Sequence, residues 1–184
     1  MQNVMVDLET LGKRAGCVII SIGAVVFDPS NDKLGEEFYS VVSSRSCVDK
    51  GLHVDDETLR WWSIQSEQAQ DVFKSSMDRR ANTIDTALIK FNDWLSQLGP
   101  KKEIAVWGNG SDFDNAIMYA AYAACGIEPA WHFWNSRCFR TLKNLTSIKA
   151  EPRIGIHHNA LDDARFQALH ANKIFSYLEH LQVK

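Results

Sequence analysis

At 184 residues, with 45% hydrophobic and 23% charged residues, the chain is long enough for one substantial core and too apolar to be disordered. A net charge of −3 and a pI near 6.1 give no global basic field, which argues against a protein that coats nucleic acid but not against an enzyme that grips a strand end. Cys17, Cys47, Cys125 and Cys138 are scattered without a C-x-x-C pair, which supports neither zinc nor a disulfide framework and fits a reducing cytoplasm.

Asn3–Leu8, Cys17–Asp28 and Glu36–Ser43 are rich in valine and isoleucine and read as strands. The turn Asp28-Pro29-Ser30-Asn31-Asp32 joins the second to the third, and connections this short favour antiparallel neighbours. The longest apolar stretch, Cys17 to Phe27, is too short to cross a bilayer, and Asp7 arrives too early for a secretory leader, so no membrane partner is expected. From Asp55 the pattern turns helical: Asp55-Asp56-Glu57 would cap DETLRWWSIQ, and Ser66 to Ser75 offers a second short helix. Ile84, Leu88, Phe91, Leu95 and Leu98 follow three-and-four spacing and predict a helix over Thr83–Leu98, ended by Gly99-Pro100. Ile104–Trp107 reads as a buried strand. Further helices are expected over Phe113–Cys125, stopped by Gly126, around Arg137–Ser147, and over Leu161–Leu181, the last burying Leu161, Ala164, Ala168, Phe175 and Leu178. The expected fold class is α/β, a mixed sheet flanked by helices in a single domain spanning 1–184.

Three blocks carry chemistry. In VMVDLETLG an apolar strand delivers Asp7 and Glu9 one residue apart, and alternate residues of a strand share a face. Two acids on one face at the end of a buried strand are costly without a cation, which points to a divalent metal. In SDFDN, Asp112 and Asp114 stand where a strand passes into a helix. Asp112 suits the role of helix cap and Asp114 that of ligand, although periodicity alone does not separate them. In HHNALDD, Asn159 and Asp162 would form a capping pair, which leaves Asp163 free to reach a metal. His158, just outside that helix, would take a proton from an attacking water, while His157 reads as a surface residue.

Together DLET, GNGSDFDN and HNALDDA resemble the DEDD 3′–5′ exonuclease superfamily, whose fold is ribonuclease H-like. The spacing from His158 to Asp163 matches the family's H-x-x-x-x-D, which selects Asp163 over Asp162. Asn159 stands where the tyrosine subclass has its tyrosine, so the histidine subclass is indicated. The resemblance spans nearly the whole chain: MVDLETLGKRAGCVIISIGAVVFDP, TLRWWSIQSEQAQ, VWGNGSDFDN and FWNSRCFRTL are similar to phage DexA-type exonucleases, small bacterial exoribonucleases and exonuclease VIII-like relatives. It implies release of nucleoside 5′-monophosphates from a 3′ end with two Mg²⁺ or Mn²⁺ ions. Asp7, Glu9, Asp114 and Asp163 would hold the metals, Glu9 would also help orient the water, and His158 would be the general base. Thr10 and Leu11 would cradle the terminal nucleotide. Relatives in this branch often form homodimers.

Trp61-Trp62 and Trp131-His132-Phe133-Trp134 offer base-stacking surfaces, with Trp62 the candidate singled out, and at most one of Trp61 and Trp62 fits a core role. Arg137, with Arg140 and Lys143, is a candidate for phosphate contact, as are Lys13 and Arg14. The expected partner is the 3′ end of single-stranded DNA or RNA, with DNA favoured through the phage-type resemblance. The competing readings are a nucleic-acid-binding module without turnover, a dinucleotide phosphodiesterase, and a structural protein whose acids only cap helices.

Overall fold

The architecture follows from one strand that is apolar on both sides. β2 (Ile19–Phe27) is buried along its whole length, so it carries a continuous apolar run rather than an alternation and must be covered on both faces. The structure is a computed structural model that describes residues 1–31 and 33–182; Asp32, the last residue of the expected turn, lies outside them. β1 (Gln2–Thr10) and β3 (Leu34–Val41) flank β2 in antiparallel pairing. On its other edge β1 takes β4 (Ile104–Gly108) in parallel, and β4 takes β5 (Ser136–Cys138) in parallel. The strand order is β3-β2-β1-β4-β5.

Among the described residues seven α-helices clothe this mixed sheet: α1 (Ser44–Asp49), α2 (Asp56–Ser63), α3 (Glu67–Ser76), α4 (Ile84–Leu98), α5 (Asp114–Cys125), α6 (Phe139–Asn144) and α7 (Ala160–Gln182). Val4, Val6 and Leu8 of β1 face a core shared with Trp62, Leu88, Phe91 and Ile117 from α2, α4 and α5. Met5, Val25 and Phe27 face the other way, against Phe139 of α6 and Ala164, Ala168, Ala171 and Ile174 of α7. Leu161, expected in the α7 core, lies outside both clusters, whereas Phe175 and Leu178 pack at the edge of the second.

Two local expectations are corrected. The helix expected around Arg137–Ser147 is β5 followed by α6, because the free edge of β4 recruits Ser136, Arg137 and Cys138 into parallel register. Cys138 then caps α6, its Sγ accepting from the Thr141 amide at 3.4 Å. The end of the third expected strand is instead the start of α1, where Ser43 is the N-cap and its hydroxyl accepts from the Ser46 amide at 3.3 Å. The other expected elements form within a few residues of their predicted ends. Thr83 caps α4, and Gly126 ends α5 in the left-handed conformation at φ +66°.

One glycine decides where α7 begins. Gly23 lies opposite Asp7 in the β1–β2 pair, and a Cβ on it would sit 2.2 Å from the backbone carbon of Ala160, the first residue of α7. Only a bare backbone lets the start of α7 come down beside Asp7. Gly23→Ala is therefore expected to lower stability by about 1–3 kcal/mol through overpacking. A thermal melt with intact melting temperature would refute that close approach.

Candidate active site

β1 and β4 pair only from Gln2 to Met5, after which the chain beyond β4 departs toward α5. The vacated edge of β1 is filled by Asp114, the first residue of α5. Its Oδ1 accepts from the Leu8 amide at 3.2 Å and its Oδ2 from the Asn109 amide at 2.6 Å. Gly108 makes room for it, since a Cβ there would lie 2.9 Å from the Asp114 Cβ. Asp112 is exposed, and the N-cap position is Phe113 with no side-chain cap, so the capping role expected for Asp112 is not found.

α7 supplies the opposite wall. Asn159 does cap it, Oδ1 accepting from the amides of Leu161 and Asp162 at 3.1 and 3.2 Å. Asp162 does not return the bond to Asn159. Its Oδ2 accepts from the Ile156 amide at 2.8 Å, and its Oδ1 accepts from Arg165, which also reaches Glu37 of β3. Asp163, one residue on, turns inward. One turn later, on the same face, Gln167 donates from Nε2 to Asp7 Oδ1 at 2.6 Å. Gln167 is not among the residues expected from the sequence; its i+4 spacing from Asp163 is the local signal that points to it.

Glu9, Asp114 and Asp163 are 6%, 1% and 8% exposed, so this is a sequestered cage and not a solvated strand end. Ligand atoms of Glu9, His158 and Asp163 all lie within 4.8 Å of one another. His158 is the one non-glycine residue among those described with positive φ, +65°, and its ring meets Trp61 edge-on at 4.7 Å and His157 at 3.9 Å. Asp7, Glu9, His158 and Asp163 line a cleft of about 330 Å³, a volume at the small end of ligand sites, while Asp114 lies behind it and is not among the lining residues.

Burial dominates the electrostatics. It pushes Asp7 well above the usual carboxylate range, reinforced by the charges of Asp114 and Glu9, and the bond from Gln167 only partly offsets this. Burial, then Asp114, raises Glu9 to about 8; burial raises Asp114 to about 6 against the two backbone amides that hold it down. Burial, the neighbouring His157 and Arg153 depress His158 to about 4, so its imidazole is neutral at physiological pH. Acids that resist ionising together need added positive charge, and hard oxygen donors suit a divalent cation. The residues present therefore fit a metal.

Sequence and fold comparisons agree with this geometry. The pattern of the 3′–5′ exoribonuclease Rv2179c-like domain family matches residues 2–175. The chain belongs to that family. It is 28% identical to an exodeoxyribonuclease of Enterobacteria phage T4 over 77% of this chain and 70% of the relative. Its fold is similar to the nuclease domain of 3′hExo, a DEDDh family member bound to rAMP, with TM-score 0.62 and 17% identity over 96% of this chain and 92% of that one. It also matches E. coli Exonuclease I in complex with a dT13 oligonucleotide, with TM-score 0.63 and 13% identity over 98% of this chain and 42% of that one. The protein is a hydrolase of the exonuclease class with a ribonuclease H-like fold.

The remaining candidate residues divide by position. Thr10 lines the cleft, its hydroxyl donating to the Gly12 carbonyl at 2.7 Å. Leu11 is buried in the core and does not line the cleft. Trp62 borders the cleft but is 1% exposed, its indole N–H spent on the Thr10 carbonyl at 2.9 Å, whereas Trp61 is 39% exposed there. Arg137 donates to the carbonyls of Trp134 and Ser136 and is not among the cleft residues. Phe113, Thr58 and Lys13 also line the cleft, and of these the sequence reading had singled out only Lys13.

The raised acids predict a pH dependence. Unfolded Glu9 loses its proton near 4.5 and folded Glu9 near 8, so the unfolded chain holds fewer protons in between and stability falls as pH rises through that window. In EDTA, the melting temperature of wild type is expected to decline from pH 5.5 to 8 more steeply than that of Glu9→Gln. Equal slopes would contradict the assignment.

Proposed function

We propose that the protein is a two-metal-ion 3′–5′ exonuclease that removes nucleoside 5′-monophosphates from single-stranded DNA or RNA, acting in the cytoplasm as a homodimer. The observation that carries this reading is that Asp7 and Glu9 of β1 and Asp163 of α7 line one cleft with His158, with the buried Asp114 of α5 bonded to the β1 backbone behind them. Asp7, Glu9, Asp114 and Asp163 would hold the ions. Bound there, Mg²⁺ or Mn²⁺ supplies Lewis acidity at the scissile phosphate and lowers the cost of charge on the attacking and leaving oxygens.

The chain's own residues do the rest. Glu9 orients the attacking water, and His158 takes its proton. The edge-on contact with Trp61 fixes the plane of the imidazole. Gln167 pins one oxygen of Asp7 and so aims the other into the cleft. Thr10 borders the space for the terminal nucleotide. Trp61 presents the exposed ring on which a base stacks, and Trp62 supports the floor beneath it. The phage exodeoxyribonuclease and the structures holding rAMP and dT13 support a strand end as substrate, with either sugar.

Digestion of matched 5′-labelled DNA and RNA oligonucleotides with Mn²⁺, Mg²⁺ or EDTA tests the reading. A metal-dependent ladder shortening from the 3′ end is expected, with Asp7→Ala and His158→Ala each slower by about 10³-fold. No cleavage of either strand, with turnover of a dinucleotide, would replace it with a small-molecule phosphodiesterase. The two tryptophans separate in a second experiment. Trp61→Ala is expected to weaken oligonucleotide binding by about 1–3 kcal/mol with the melting temperature kept, whereas Trp62→Ala lowers stability by about 3–5 kcal/mol. Equal effects on both readouts would overturn the division of roles.

A further inference from the structure

The cage already contains a cation. Arg153 lies in the irregular segment 145–159 between α6 and α7, five residues before His158. Its guanidinium donates from Nη1 to Asp163 Oδ1 and lies over the Phe166 ring, 4.3 Å from the ring centre. The two partners are 26% and 11% exposed, so this pair is shielded far more than the surface pairs Lys13–Glu57 or Arg45–Asp49. Asp163 is also one of the three residues whose ligand atoms cluster within 4.8 Å. A divalent ion and Arg153 thus seek the same carboxylate.

We propose that Arg153 is an internal counter-cation that occupies Asp163 in the metal-free protein, must release it before an ion loads, and so sets the metal concentration at which the site fills. The proposal rests on the metal-dependent reading above. Several features favour exchange over a permanent structural pair. A guanidinium is weakly hydrated and keeps its charge at every accessible pH, so it can stay in a partly dry cage of acids. Its charge also acts on Asp7 and Glu9, favouring their ionised forms. It is carried on irregular chain, so it can leave without unwinding a helix. Gly155, at φ +98°, turns the backbone two residues later, where a Cβ would lie 2.6 Å from the Asp162 carboxyl carbon. The segment is anchored on either side of Arg153, by the Ile156 amide on Asp162 and by Glu151 on Lys173, while Arg153 itself reaches the cage through its side chain.

Calorimetric titration of the metal-free protein with Mn²⁺ tests this, using wild type, Arg153→Gln, Arg153→Met and Lys13→Gln. Arg153→Met keeps an apolar stem over Phe166 and guards against a folding defect. Both Arg153 variants are expected to bind Mn²⁺ about three- to tenfold more tightly than wild type, the cost of breaking a partly shielded pair having been removed. Both should melt lower than wild type in EDTA and gain more from added Mn²⁺. Lys13 lines the same cleft but pairs with Glu57, so Lys13→Gln should give a clearly smaller gain. Unchanged or weaker binding in the Arg153 variants overturns the proposal. An equal gain from Lys13→Gln also overturns it, because through-space charge alone would then explain the effect. A wild type that binds no Mn²⁺ fails the metal-dependent reading itself.

Discussion

Like charge crowded into a dry space is the constraint on which the rest of the structure depends. Asp7 and Glu9 at the end of β1 and Asp114 at the start of α5 lose their hydration and crowd one another, and burial, the largest cause for each, raises all three. The surrounding frame holds them together nonetheless. Gly23 brings α7 against the sheet, Gly108 admits Asp114, and the Leu8 and Asn109 amides fix both of its oxygens. The proposed binding and catalytic roles would share that frame, because acids already held in place need little rearrangement when charge develops.

Neighbours in sequence serve opposite purposes because successive side chains on a helix point about a third of a turn apart. Asp163 enters the cage while Asp162 ties the preceding segment and links α7 to β3 through Arg165 and Glu37. Trp62 is floor and Trp61 is wall. In the irregular segment before α7 a similar division holds, His158 meeting Trp61 edge-on while His157 is exposed. In each pair one member lines the cleft and the other does not turn its polar atoms into it, save that Trp62 borders the cleft from beneath.

Much of this was legible in the sequence because it rests on short-range patterns. β2 announces itself by an unbroken apolar run, α4 by its spacing, and α5 by the glycine that ends it. The site acids were legible as strand alternation in Asp7 and Glu9, and as motif spacing in His158 and Asp163. What escaped were contacts made across the chain. Nothing local to Arg137 reveals that β4 lacks an edge partner, and so β5 read as helix. Asp112 resembles a cap, yet it is exposed and the residue at the head of α5 is Phe113, with no side-chain cap. Gln167 and Arg153 have ordinary surroundings in sequence, and their roles come from Asp7 and Asp163 respectively. Which of two adjacent tryptophans is covered depends on where Thr10 places its carbonyl, a question of tertiary packing.

The site is also stitched together from remote stretches of chain. Asp114 meets Leu8 across 106 residues, and Gln167 meets Asp7 across 160. Neither stretch of chain holds the acid cluster by itself; only the docked tertiary fold brings its members together. Local fraying at the start of α7 would therefore separate Asp163 and Gln167 from β1 and undo the cluster before the sheet itself melts.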